Sequence, residues 1–173
     1  MHESINDKVI IITGATRGMG YGVSKKMLEL GAKVVMVYKS NTEAAEKAEQ
    51  ELNAYANNLI TISADIAETV GREKILTSTL GKFDRVDALI NVAGIATTKG
   101  FLKESEEQFD SVLAVNLKAP ILLAQLVAKQ MIEQGDGGCI VNFASTAAHS
   151  PGSAVSYGAA KAGLLMATKS IAK

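Results

Sequence analysis

Short apolar runs recur along the chain, separated by longer stretches in which apolar positions return every three or four residues. The runs Val9–Thr13, Lys33–Tyr38, Leu59–Ala64, Ala88–Asn91 and Cys139–Ala144 predict five β-strands. Each is nearly continuous in apolar, often β-branched, residues, the pattern of a parallel sheet covered on both faces. The intervening stretches carry helix signals. Ser40 with Glu43 and Ser105 with Gln108 have capping-box spacing, Asp65 precedes Glu68 at the same interval, and Gly31 follows a helical run as a stop. Strands alternating with helices predict right-handed crossovers and an α/β doubly wound parallel sheet of the Rossmann type. In the strand order 3-2-1-4-5 the chain reverses between the first and fourth strands, and ligands bind at that switch point beyond the strand ends. The loops opening at Thr13, Asn91 and Ser145 therefore carry the candidate site. No repeat, low-complexity tract or linker divides residues 1–173, which read as one dinucleotide-binding domain.

The first of those loops is Thr13-Gly14-Ala15-Thr16-Arg17-Gly18-Met19-Gly20. Glycines there permit a tight turn and close backbone approach to a pyrophosphate, which the free N–H groups of the following helix then hold. A glycine turn has structural uses too, but its place between the first strand and first helix favours dinucleotide binding by Gly14, Thr16, Arg17, Gly18, Met19 and Gly20. The second strand ends Tyr38-Lys39-Ser40-Asn41, with no carboxylate before Glu43. A ribose 2′-hydroxyl calls for an acid at this place, a 2′-phosphate for cations. Lys39 and Ser40, with Arg17 nearby, predict NADP(H) in preference to NAD(H); the plainer reading of both cations is a solvated surface.

Composition narrows the function classes. Eighteen basic and eighteen acidic side chains cancel over 173 residues, and no basic run stands out, which argues against nucleic-acid and membrane-surface roles. The first eight residues lack the apolar stretch of a signal peptide, and the apolar region Ala119–Ala128 reads as too short to span a bilayer. Cys139, the single cysteine, reads as a small core residue, and the cytoplasm is the expected location. No His/Cys cluster has metal-ligand spacing, and His149 reads as a loop histidine without a catalytic part.

Further motifs follow in order: Asp65, Asn91-Val92-Ala93-Gly94, Asn116, Ser145, and Tyr157-Gly158-Ala159-Ala160-Lys161. With the glycine loop, they make the whole chain resemble the short-chain dehydrogenase/reductase family. The resemblance implies an oxidoreductase, EC 1.1.1.-, in which Asn116, Ser145, Tyr157 and Lys161 are catalytic. Physical chemistry supports the central pair: Tyr157 and Lys161, four apart on a helix, share a face. A phenol titrating near pH 10 needs a neighbouring ammonium to act near neutrality. By resemblance, Ser145 holds the substrate carbonyl and Lys161 also reaches the nicotinamide ribose. Asp65, with Ile66, meets the adenine, although Asp65 reads equally as a helix cap. Asn91, Ala93 and Gly94 line the adenosine ribose. Pro120, lacking an N–H, deprives the Asn116 carbonyl of its helix partner, so a kink is expected and the carbonyl is free for a relay water. Alternatively Pro120 begins a new helix that Asn116 caps.

Two departures stand out. Val92 replaces the family's second Asn, and the interval from Ser145 to Tyr157 is tighter than usual. Family members continue past the Tyr/Lys helix with further strands and a substrate loop, so the resemblance implies a sheet truncated there, with an open edge on the fifth strand. Within the family, Val34–Asn41 and Phe101–Lys118 look most like 3-oxoacyl-[acyl-carrier-protein] reductases. The region 129–134 nevertheless offers one cation for docking acyl carrier protein, which leaves that partner poorly supported. The expected function is reduction of a small carbonyl compound, or the reverse; the alternatives are a non-catalytic nucleotide-binding module and an inactive fragment of a longer reductase. The helix from Ile121 to Ile132 is apolar nearly all round, which predicts a homodimer or homotetramer.

Overall fold

The computed structural model describes residues 4–152 and 154–173; the first three residues of the N-terminal stretch, and Ser153, lie outside them. Five parallel strands, β1 (Val9–Thr13), β2 (Lys33–Tyr38), β3 (Leu59–Ser63), β4 (Ala88–Asn91) and β5 (Cys139–Asn142), form one sheet in the order β3-β2-β1-β4-β5. The expected order is met, and three strands have the expected bounds. Strands β3 and β5 end one and two residues early, and after β3 the chain turns out toward the cleft described below.

Six helices cover the sheet: α1 (Gly18–Glu29), α2 (Thr42–Glu51), α3 (Thr69–Phe83), α4 (Glu106–Leu113), α5 (Ala119–Gln134) and α6 (Val155–Ile171). Alternate residues of β1 point to opposite faces. Val9 and Ile11 join Ile75 of α3 and Leu123 and Val127 of α5 in one core cluster. Ile10 and Ile12 join Leu28 of α1 and Ala48 of α2 in the other. Both faces of β1 are dry, which is why its sequence shows no polar alternation.

Helix ends follow local chemistry. Gly31, at φ +85°, closes α1 with its N–H on the Leu28 carbonyl and the Ala32 N–H on that of Met27. Ser105 and Gln108 make the expected capping box on α4. The other two expected caps are corrected. Asn41, one residue past Ser40, caps α2 through the Ala44 N–H. Helix α3 starts only at Thr69, and Asp65 instead accepts from the Ala67 N–H in the preceding turn.

Helices α4 and α5 are one continuous run of 29 residues, Glu106–Gln134, joined by a π turn at Ala114–Lys118. Pro120 cannot donate to the Asn116 carbonyl, and the helix widens instead of breaking. The Ala119 N–H reaches back five residues to Ala114. The residue capping α5 is Lys118, so Asn116 is not its cap. This run is long and apolar enough to cross a membrane, which corrects the expectation drawn from Ala119–Ala128 alone. Its Leu123, Val127 and Met131 are buried against the sheet, as in a core helix.

The expectation of a core Cys139 is corrected as well. Cys139 is exposed, because β5 is the last strand of the sheet and pairs only with β4.

Asp87 pins the start of β1 beside β4. Its carboxylate accepts the Val9 N–H at 2.8 Å, holds Arg85 through both oxygens, and has Lys8 at 3.7 Å. Burial alone would raise its pKa, but Arg85, the Val9 N–H and Lys8 outweigh burial and hold the carboxyl below its usual range. A depressed folded pKa stabilises the fold above the unfolded carboxylate value, near pH 4, and that contribution is lost as pH falls through the folded value. Asp87→Asn is expected to cost about 1–3 kcal/mol at neutral pH. In thermal melts the gap from wild type should narrow as the pH drops below about 4.

Candidate active site

At the carboxyl ends of β1, β2, β3 and β4 lies a cleft of about 460 Å³. The glycine loop forms its floor. Gly14, at φ +65°, could not carry a side chain, since a Cβ there would stand 2.9 Å from the Ala93 Cα. At Gly20, a Cβ would meet the Gly14 carbonyl oxygen at 2.1 Å, so α1 packs directly on the loop that precedes it. Gly18, at φ +53°, has open space where its side chain would be. The N-terminus of α1 thus faces the cleft over backbone left bare at Gly14, Gly18 and Gly20, a shape that fits a pyrophosphate. The Thr13 hydroxyl accepts both the Val92 and Ala93 N–H groups, locking the β4 loop against the glycine loop.

Of the residues expected to bind a cofactor, Gly14, Thr16, Arg17, Gly18, Met19, Gly20, Tyr38, Lys39, Ser40, Asp65, Ile66, Ala93 and Gly94 all line this cleft. Asn91 does not. It is buried beneath, and its amide donates to Asn142 at 2.9 Å and to the Pro120 carbonyl at 3.4 Å, tying β4 to β5 and α5. At the mouth, Lys39 and Asp65 form an ion pair at 2.6 Å. Burial tends to raise the Asp65 pKa, but Lys39 and the Ala67 N–H hold it below the usual carboxylate range. Arg72 is a site residue that sequence reasoning missed. Its buried guanidinium donates to the Ile66 and Ala67 carbonyls at 2.7 and 2.8 Å and to the Thr69 hydroxyl, shaping the wall that carries Asp65 and Ile66. The available signal was a cation in a helix's first turn, where the dipole disfavours it unless carbonyls receive it.

Asn116 and Lys161 meet under Gly94. A Cβ at Gly94 would lie 2.6 Å from Asn116 Oδ1 and 3.9 Å from Lys161 Nζ. Asn116 is fully buried in the π turn, and its amide clasps the Ile95 backbone at both ends, donating to the carbonyl and accepting from the N–H. Lys161, 4% exposed, donates to the Phe143 carbonyl at 2.6 Å and stands 5.9 Å from the centre of the Tyr157 ring. Among the described residues no carboxylate pairs with it, and burial lowers its pKa. Tyr157 lines a second cleft of about 480 Å³ with Ala96–Phe101, Gly152, Ala154 and Val155. The β4 loop runs from one cleft to the other: Gly94 and Ile95 border the first, Ala96 the second. Ser145 opens the turn after β5, and its hydroxyl accepts from the Ala147 N–H.

A sequence profile described as short chain dehydrogenase matches residues 8–173, nearly the whole chain. The chain belongs to the short chain dehydrogenase family. It is 34% identical over 98% of its length to a 3-oxoacyl-[acyl-carrier-protein] reductase of Synechocystis, covering 69% of that protein. It is 31% identical over 98% to a 2-dehydro-3-deoxy-D-gluconate 5-dehydrogenase of Dickeya dadantii, covering 66% of it. A solved 3-ketoacyl-(acyl-carrier-protein) reductase from Brucella melitensis, complexed with NADH, superposes with a TM-score of 0.90 at 31% identity, over 98% of this chain and 70% of that one. This short chain dehydrogenase thus spans 66% to 70% of the length of these relatives. It has the fold of an oxidoreductase family that binds nicotinamide cofactors.

Proposed function

We propose that this chain carries the cofactor-binding and proton-transfer part of an NADP(H)-dependent oxidoreductase that reduces a carbonyl to a secondary alcohol, or runs the reverse. The observation that carries the reading is one loop shared by two clefts. The β4 loop borders both clefts, Gly94 and Ile95 beside the glycine loop, Arg17 and Lys39, and Ala96 beside Tyr157, whose ring centre stands 5.9 Å from the Lys161 Nζ.

A bound nicotinamide would supply the hydride. Tyr157 holds the proton that the carbonyl oxygen takes up, and Lys161, without a carboxylate partner among the described residues, stands beside the Tyr157 ring. Ser145 orients the oxygen, and Asn116 fixes the backbone at Ile95 between the two clefts. Arg17 and Lys39 would receive a 2′-phosphate. Lys39 must first leave Asp65, but an exposed ion pair is worth only about 0–1 kcal/mol, so a phosphate with up to two charges displaces it. The exposed apolar side chains of Ile132 on α5 and Met166 on α6 support self-association through these helices.

Lys39→Met tests the cofactor assignment. NADPH affinity should fall about ten-fold while NADH affinity holds or improves, since the variant removes a charge-assisted contact that only the phosphate uses. Equal losses for both cofactors would contradict it. The reaction itself is tested by NADPH oxidation with ethyl acetoacetate, a simple 3-oxo ester chosen for the 3-oxoacyl relatives.

A further inference from the structure

Among the described residues, no side chain of its own first turn caps the helix that carries Tyr157 and Lys161. Its N-cap position is Ala154, which has no side-chain acceptor, and no acidic residue occupies its first turn. Helix starts leave N–H groups that require an acceptor, and they favour a negative charge. Here the acceptor comes from far away in sequence. The Glu104 carboxylate receives the Ser156 N–H at 3.4 Å and, through its other oxygen, the Ser156 hydroxyl. Ser156 is fully buried and immediately precedes Tyr157.

Glu104 is itself held in place. It follows the single-turn helix Phe101–Lys103 and precedes Ser105, whose capping box fixes the start of α4. Its backbone N–H bonds to the Gly100 carbonyl at 3.2 Å. The same turn supplies Phe101 to the pocket that Tyr157 lines. One carboxylate therefore joins the wall of that pocket to the first turn of the helix bearing the phenol.

We infer that Glu104 is a positioning residue for Tyr157: its carboxylate braces the first turn of α6 and sets where the phenol stands relative to the Phe101 wall. The inference rests on the proposed role of Tyr157. Glu104 does not line the cofactor cleft, so its loss should separate proton transfer from cofactor binding. A misplacement of the order of 1 Å at a reacting group costs up to about a hundred-fold in rate.

The test compares wild type, Glu104→Ala, Glu104→Gln and Tyr157→Phe in NADPH titrations, in turnover of ethyl acetoacetate, and in amide hydrogen exchange at Ser156 and Gly158. Gly158 donates the first helical bond of α6, to the Ala154 carbonyl. Glu104→Ala should lower kcat about ten- to a hundred-fold with NADPH affinity unchanged, and should speed exchange at both amides. Glu104→Gln should recover most of kcat and of the protection, because its amide can accept the Ser156 N–H and donate to the hydroxyl. If Tyr157→Phe is inactive while Glu104→Ala matches wild type, or Glu104→Gln fails to rescue, the inference is overturned. If Tyr157→Phe keeps full activity, the proposed function fails, and the positioning role with it. Should wild type not turn over this ester, exchange decides: protection lost in the alanine variant and restored in the glutamine variant supports the brace, and unchanged protection overturns it.

Discussion

Replacing Tyr157 by phenylalanine is expected to reduce turnover of a carbonyl substrate by about 10²- to 10⁴-fold, the range contributed by a positioned proton donor. The ring is conserved in the variant, so its packing in the pocket with Phe101 and Val155 should survive. Only the hydroxyl is lost. NADPH binding should change little, because the cleft that holds the glycine loop does not include Tyr157. Melting temperature should stay near that of wild type. The measurements are steady-state kinetics with ethyl acetoacetate, an NADPH titration and a thermal melt. A variant that keeps wild-type kcat would remove Tyr157 from the chemistry.

Gly20→Ala is expected to destabilise the protein by about 3 kcal/mol or more and to abolish cofactor binding. The added methyl would stand 2.1 Å from the Gly14 carbonyl oxygen, and 3.0 Å from the Ala15 Cα. Those neighbours are backbone, so relief requires α1 to lift from the loop it anchors. That loop is the cradle itself. Gly22, two residues on and exposed in α1, has nothing within 4 Å of its would-be Cβ. There alanine should stabilise by about 0.5–1 kcal/mol, through higher helix propensity, and leave binding intact. Urea unfolding and NADPH titration of the two variants check the pair, and similar behaviour at both positions would contradict the close-packing account.

Local chemistry and what lies across the sheet were read from the sequence with different success. The places of the five strands followed from apolar runs, though not the ends of β3 and β5, since a doubly covered parallel sheet leaves few polar positions to confuse the pattern. The Ser105–Gln108 capping box was readable because both partners sit within one turn. Ser40 and Asn41 are adjacent acceptors, and local sequence does not say which one the backbone will use. Cys139 looked interior because its strand is apolar, but an edge strand exposes what a central one buries. Pro120 pointed correctly to a disturbance at Asn116, while the form of it, a π turn in an unbroken helix, depends on packing. The contacts that shape the site are long-range: Asn116 with Ile95, Arg72 with the Ile66 carbonyl, Lys39 with Asp65, and Glu104 with Ser156. Periodicity and motif spacing carry no trace of such pairs.

The measurement that tests the central claim most directly is a fluorescence titration of the purified chain with NADPH and, separately, with NADH. The account predicts saturable binding of NADPH at least about ten-fold tighter than that of NADH, since a charge-assisted contact to a 2′-phosphate is worth about 1.5–3 kcal/mol. Equal affinity, tighter NADH binding, or no binding of either would contradict it.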